Sequence, residues 1–184
     1  MKRANTFGLY PDDDSAVVAL VDPDRSLSTL FADVLQMAVD SGVELVWADS
    51  AQLAGTWSVM RWGSAQGLVE QIRSGDSDVK TVYGLGGALS HRTDPRCILD
   101  MREESGGVVA TWSAAGTPLD STDEAIQEER WTQVVSGLRR AADVVDPLYG
   151  AITFLFGLPA GRDELADPSF NDGITTWFLS NRLS

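Results

Sequence analysis

The chain has 184 residues, which is one ordinary domain, and its apolar fraction of 43% is too high for a disordered protein. Acidic side chains outnumber basic ones by 27 to 14, and the formal charge of −13 disfavours nucleic-acid phosphate and anionic membranes as partners. The single cysteine, Cys97, excludes an internal disulfide, and we find no secretory signal or membrane-spanning run, so we expect a cytoplasmic protein.

The first half of the chain predicts two strands around a helix. The apolar run from Ala16 to Val21 predicts a buried strand. After the break at Asp22-Pro23-Asp24, a helix is expected from about Ser26, with Ser26 or Ser28 as its N-cap, until Ser41-Gly42. The next strand is expected at Val43 to Trp47. The elements expected after it are a strand at 57–62, a helix at about 64–73 and a strand at 79–85.

The second half predicts a hairpin, a long helix and two more strands. The hairpin joins 97–102 to 108–112, and the helix begins at the capping box Ser121-Thr122-Asp123-Glu124 and stops at Pro147. Strands are expected at 151–156 and 174–179. Strands and helices do not alternate regularly, which favours one α+β domain over residues 1–184. We expect a mostly antiparallel sheet with two long helices packed on one side.

Reactive side chains are few, and the sequence predicts no catalytic residue, metal site or cofactor. His91 is the only histidine and lies in a polar segment, and Cys97 begins an apolar strand, where a buried, inert thiol is expected. The glycines of Gly84-Leu85-Gly86-Gly87 lack the spacing of a phosphate-binding loop, so they predict a turn with positive backbone dihedrals. Asp12-Asp13-Asp14 is expected to be a solvated loop.

One enzymatic alternative stays open at the end of the first strand. Asp22-Pro23-Asp24-Arg25-Ser26-Leu27 resembles the first motif of the haloacid-dehalogenase phosphatases. The resemblance implies a Mg²⁺-dependent phosphatase with Asp22 as nucleophile and Asp24 as acid/base. The same stretch resembles the acidic opening of a response-regulator receiver domain. A polar turn that caps the following helix explains these residues more simply.

A second concentration of acidic residues favours binding over catalysis. Carboxylates are frequent between Asp100 and Arg130, and Glu124 and Glu128 lie one helical turn apart. Trp57 or Trp62 is expected to act as an apolar anchor at an interface, whereas Trp47 is expected in the core. The predicted partner-binding residues are Asp100, Glu103, Glu104, Asp120, Asp123, Glu124, Glu128, Glu129, Trp57 and Trp62.

The order of elements resembles that of immunity proteins from bacterial polymorphic-toxin systems. The likeness includes a long helix running into Asp146-Pro147-Leu148-Tyr149-Gly150 and the C-terminal stretch from Asp172 to Leu179. It implies an α+β inhibitor of a cognate toxin, often a nuclease, whose basic groove an acidic protein can approach. Two other possibilities remain: acidity that serves only solubility, and a small-ligand-binding module with a pocket lined by tryptophans. The oligomeric state is left open.

Overall fold

The computed structural model describes residues 17–50, 55–58, 62–87, 96–102, 107–111, 124–153 and 176–179. Its strands are β1 (Val17–Val21), β2 (Glu44–Ser50), β3 (Gly55–Ser58), β4 (Val79–Leu85), β5 (Arg96–Arg102), β6 (Gly107–Thr111), β7 (Tyr149–Thr153) and β8 (Thr176–Leu179). They form one eight-stranded sheet in the order β3-β2-β4-β5-β6-β1-β7-β8. Every neighbouring pair is antiparallel.

The helices are α1 (Leu27–Asp40), α2 (Ala65–Ser74) and α3 (Glu124–Val144). Ser26 caps α1, where its side chain accepts a hydrogen bond from the amide of Thr29 at 3.2 Å. Ser64 caps α2 in the same way, and Gly75 ends that helix in the left-handed conformation that glycine adopts without strain. These short-range interactions explain why the sequence predicted the helix bounds well.

All three helices cover the same face of the sheet. Phe31 of α1, Leu68 of α2 and Val135 of α3 belong to one buried cluster, which also contains Leu20 of β1 and Leu99 of β5. Burying a large apolar side chain completely contributes about 1.5–3 kcal/mol, so α1, with its row of buried residues, is central to stability. Its buried side chains are Leu30, Phe31, Ala32, Val34, Leu35, Met37 and Ala38.

The predicted fold class is confirmed: the protein is α+β, with an antiparallel sheet packed against helices. Several strand bounds differ, since β2 continues to Ser50 and β7 begins at Tyr149. The capping box at 121–123 and the middle of the predicted strand at 57–62 lie outside the described residues. None of the helices in the described part of the chain has the length and apolarity needed to cross a membrane.

The C-terminal end of α3 is capped by a residue from outside the helix. Arg139 and Arg140 lie before the last turn, which contains no basic residue. The cation comes instead from Arg25, in the turn between β1 and α1, which donates to the carbonyls of Val145 at 2.8 Å and Asp146 at 2.6 Å. A residue 120 positions away thus neutralises the negative end of the helix dipole.

Candidate functional site

The sheet face opposite the helices carries two rows of side chains that run across β2, β4 and β5. In the first row, Tyr83 of β4 lies between Trp47 of β2 and Ile98 of β5. In the second row, Thr81 of β4 lies between Asp49 of β2 and Asp100 of β5. Directly opposed residues of antiparallel strands share a face, with Cβ atoms about 4.5–5.5 Å apart. We call Trp47, Asp49, Thr81, Tyr83, Ile98 and Asp100 the acidic–aromatic patch.

Alternation along the strands places the patch on the face away from the helices. Leu99, between Ile98 and Asp100, is fully buried in the core, as is Val82, between Thr81 and Tyr83. The side chains of a strand point alternately to its two faces. The patch residues therefore point away from the helices, and all of them except the more exposed Trp47 are half-buried.

Trp47 is the exception to the predicted core, because its side chain is 45% exposed. Strict alternation from the buried Leu45 would have turned Trp47 toward the helices. The register shifts between Leu45 and Trp47, which leaves Val46 as an extra residue and makes a β-bulge. The bulge reverses the alternation, so that Trp47 points to the open face and Ala48 is buried.

A glycine on β4 makes room for the start of β2 beside this bulge. A Cβ added to Gly84 would collide with Cγ1 of Val43 and would lie 3.3 Å from the carbonyl oxygen of Glu44. Glycine inside a strand often marks such a close backbone approach. Gly84 therefore helps to set the geometry that exposes Trp47.

Hydroxyl groups of β4 orient both carboxylates of the patch. The hydroxyl of Tyr83 donates to Oδ2 of Asp49 at 3.2 Å, and the hydroxyl of Thr81 donates to Oδ1 of Asp100. Partial burial, and then the negative charges of Asp49 and Asp100, raise the pKa of Tyr83 above its ordinary value of 10.0. Burial is the largest cause of the raised pKa of Tyr83, and the two carboxylates add to it in the same direction.

The predicted acidic flank is divided between two sides of the molecule. Asp100 lies in the patch, whereas Glu124, Glu128 and Glu129 are exposed on α3, which covers the opposite face of the sheet. The structure therefore does not bring Asp100 together with the α3 carboxylates. The remaining predicted acidic residues, Glu103, Glu104, Asp120 and Asp123, lie outside the described residues.

The predicted tryptophan anchors are placed differently from Trp47. Trp62 is half-buried and packs against the hydrophobic core, so it offers less surface than the sequence suggested. Trp57 lies on β3, at one edge of the sheet, where its backbone pairs with Ala48. Sequence reasoning missed Trp47 and Asp49, because their exposure depends on the bulge.

The Asp22 segment forms an ion-pair network around Arg25. Oδ2 of the buried Asp22 lies 3.0 Å from Nε of Arg25, and Oδ1 accepts the amide of Asp24 at 3.2 Å. Arg25 also contacts Asp33 at 3.1 Å, and Asp33 in turn pairs with Arg73 of α2. This network ties the three helices together, and it favours a structural role for Asp22 over that of a phosphatase nucleophile.

Other predicted features have simple structural explanations. Cys97 is buried, as expected, and burial raises the pKa of its thiol to about 12. Gly86 and Gly87 adopt the predicted positive φ angles of 74° and 81°, whereas the prediction is wrong for Gly84, which lies within β4. Asp12 to Asp14 and His91 lie outside the described residues. Among the residues that the structure describes, no group of three or more His, Cys, Asp or Glu side chains is placed to hold a metal ion.

Comparisons with protein-family models, with curated proteins and with solved structures found no match to this chain.

Proposed function

We propose that this chain binds a basic protein and inhibits it, as an immunity protein neutralises a toxin or nuclease. The observation that carries the proposal is the acidic–aromatic patch, where the exposed Trp47 shares a sheet face with two carboxylates that hydroxyl groups orient. Tryptophan is enriched among the residues that dominate binding energy at protein interfaces.

The charge of the chain supports a basic partner over other occupants of this face. A second copy would bring another formal charge of −13 against the same patch. Contacts between like charges across an interface cost roughly several kcal/mol unless opposite charges compensate them. A basic protein, such as a nuclease with its substrate groove, offers the complementary charge.

The carboxylates of α3 have a separate role in this proposal. Glu124, Glu128 and Glu129 are exposed on the other side of the molecule from the patch. They contribute to the long-range negative potential, which accelerates encounter with a basic partner, while the patch supplies the contact. This division revises the predicted interface, which placed Asp100 and the α3 carboxylates on one flank.

The test uses a basic toxin or nuclease domain as the partner, sought first among the genes next to the one for this chain. Stopped-flow tryptophan fluorescence should show an association rate that falls as salt rises from 50 to 500 mM, and the complex should lack toxin activity. Co-expression should restore the growth of cells that produce the toxin. A neighbouring domain that is neither bound nor inhibited, or binding that ignores salt, would contradict the proposal.

Matched variants identify the contact surface. Trp47→Ala should weaken the complex by at least tenfold, mainly through faster dissociation, if Trp47 is a dominant contact. Glu124→Gln, on α3, should change the association rate by less than about twofold. A complex that is unaffected by Trp47→Ala but lost in Glu124→Gln would place the interface on the helical side.

A further inference from the structure

We propose that an apolar surface beside the β2 bulge receives an apolar anchor side chain of the partner, with a basic residue of the partner next to that anchor. We call Glu44, Trp47, Tyr83 and Leu85 the Trp47–Leu85 surface. This inference rests on the proposed function for the class of partner, a basic protein. It specifies what that partner presents at the contact: an apolar side chain adjoining a lysine or an arginine.

Exposed apolar side chains are concentrated on this surface. In the described part of the chain, Trp47 is 45% exposed and Leu85 is 40% exposed, and the other large apolar side chain with comparable exposure is Val144 of α3. Trp47 lies directly opposite Tyr83, and Leu85 follows Tyr83 by two residues, so Trp47 and Leu85 are diagonal neighbours. Such neighbours on paired strands lie about 7–8 Å apart, so one partner side chain can contact both. Adjoining exposed apolar groups mark interaction sites, whereas isolated ones are ordinary.

Glu44 and Leu85 point away from the hydrophobic core. Leu45, next to Glu44, is buried in the core, and a Cβ added to Gly84, next to Leu85, would collide with the core residue Val43. Alternation along each strand therefore turns Glu44 and Leu85 to the open face, where register makes them a direct pair. The surface thus has an apolar centre with a carboxylate at its edge, as protein interfaces have an apolar centre and a polar rim.

Glu44 supplies the charge that selects the residue beside the anchor. Its side chain is exposed, and no hydrogen bond or ion pair to its carboxylate is found among the described residues. Register places Arg96 of β5 on the other side of Leu85, so the basic residue of the partner is expected on the β2 side of the anchor. Opposite charges at the rim of an interface fix its orientation and speed association more than they add affinity.

Leu85 favours an apolar anchor over a cation stacked on Trp47. The face of an aromatic ring attracts a cation, but an aliphatic side chain carries no such negative face. An apolar side chain that lies across both residues loses contact with water over its whole length, so both contacts favour binding. The tightness of the complex therefore comes from the burial of Trp47 and Leu85.

The experiment compares two capped peptides of equal charge by calorimetric titration of the full chain. One contains three repeats of lysine–leucine–lysine, and the other contains three repeats of lysine–serine–lysine. The leucine peptide should bind about fivefold more tightly, because only its side chains can fill the apolar centre. Leu85→Ser and Trp47→Ser should each reduce this preference to less than about twofold. Glu44→Gln should weaken both peptides by about two- to threefold and leave the preference unchanged, since it removes only charge.

Val144→Ser is the matched control, because it removes an exposed apolar side chain from α3 and should leave the preference for the leucine peptide intact. Circular dichroism shows whether each variant is folded before it is titrated, and Leu85→Ser still tests the surface if Trp47→Ser does not fold. Equal affinities for the two peptides would overturn the inference. So would a preference that survives in Leu85→Ser, or one that Val144→Ser reduces as much as Leu85→Ser does.

Sedimentation velocity of the chain alone tests the other occupant, a second copy of this chain. We expect a monomer, because each copy carries a formal charge of −13. A dimer that Leu85→Ser separates would overturn the inference. The peptides contain no toxin, so a leucine preference without toxin inhibition would refute only the proposed function. A toxin that Leu85→Ser binds and inhibits as the wild type does would refute only this inference.

Discussion

The protein holds carboxylates in two contrasting environments. On the helical side, Asp22 has no exposed side-chain surface and lies against Arg25, which also contacts Asp33 and the end of α3. On the opposite side of the sheet, Asp49 and Asp100 are half-buried and accept hydrogen bonds from neutral hydroxyl groups. One set of charges pairs with Arg25 within the fold, and the other set is oriented by hydroxyl groups on the open face of the sheet.

The difference indicates which carboxylates serve the fold and which can serve a partner. A buried carboxylate that lacks a cation lowers the free energy of unfolding by roughly several kcal/mol, so Asp22 requires Arg25. A half-exposed carboxylate keeps part of its hydration, and Tyr83 and Thr81 each help to orient one of the two carboxylates of the patch. Surface acidity alone, as counted along the sequence, does not separate these two kinds of residue.

The largest expected effect comes from breaking the neutralised cluster. Arg25→Ala leaves the buried Asp22 without its ion-pair partner and removes two hydrogen bonds to the carbonyls that follow α3. We expect the free energy of unfolding to fall by about 3–5 kcal/mol, measured by urea denaturation. Arg139→Ala, on the exposed surface of α3, should change it by less than about 0.5 kcal/mol. Equal losses in the two variants would show that the Arg25 network stabilises the fold no more than an exposed arginine does.

A smaller effect is expected at the bulge that exposes Trp47. Gly84→Ala places a methyl group against the buried Val43, and overpacking of this kind costs about 1–3 kcal/mol. The double variant Gly84→Ala/Val43→Ala should lose less stability than the sum of the two single variants, because the smaller side chain accommodates the new methyl group. Thermal and urea denaturation of all the variants measure this coupling. Additive losses would mean that Gly84 does not meet Val43.

The smallest effect concerns the potential at the patch. The pKa of Tyr83 should lie above 10.0 in the folded protein, and Asp49→Asn should lower it more than Asp100→Asn does, because Asp49 contributes both its charge and a hydrogen bond. Since folding raises this pKa, the stability that it contributes is present below about pH 10 and is lost as pH rises through the folded value.

Carbon-13 labelling of tyrosine, with Tyr83→Phe to assign the signal, follows this titration by NMR. Asp40→Asn, exposed on α1, is the control and should leave the pKa of Tyr83 unchanged. If the pKa of Tyr83 stays the same in Asp49→Asn, the negative potential at the patch does not come from that carboxylate.

Much of the fold follows from short-range patterns. The apolar stripe after Ser26 predicts α1, the apolar setting of Cys97 predicts its burial, and the glycines before position 88 predict the positive φ angles that Gly86 and Gly87 adopt. Each of these depends on residues a few positions apart, so the sequence contains the necessary information. The α+β class follows in the same way from the irregular order of strands and helices.

The sequence by itself determined the order of the elements, the N-terminal cap of α1, the class of fold and the excess of negative charge. Only the tertiary structure decided which carboxylates pair with arginines and which face of the sheet carries Trp47 and Asp100. The physical reason is that strand pairing and the β2 bulge depend on residues far apart along the chain, and one extra residue in a strand reverses the faces of all those after it.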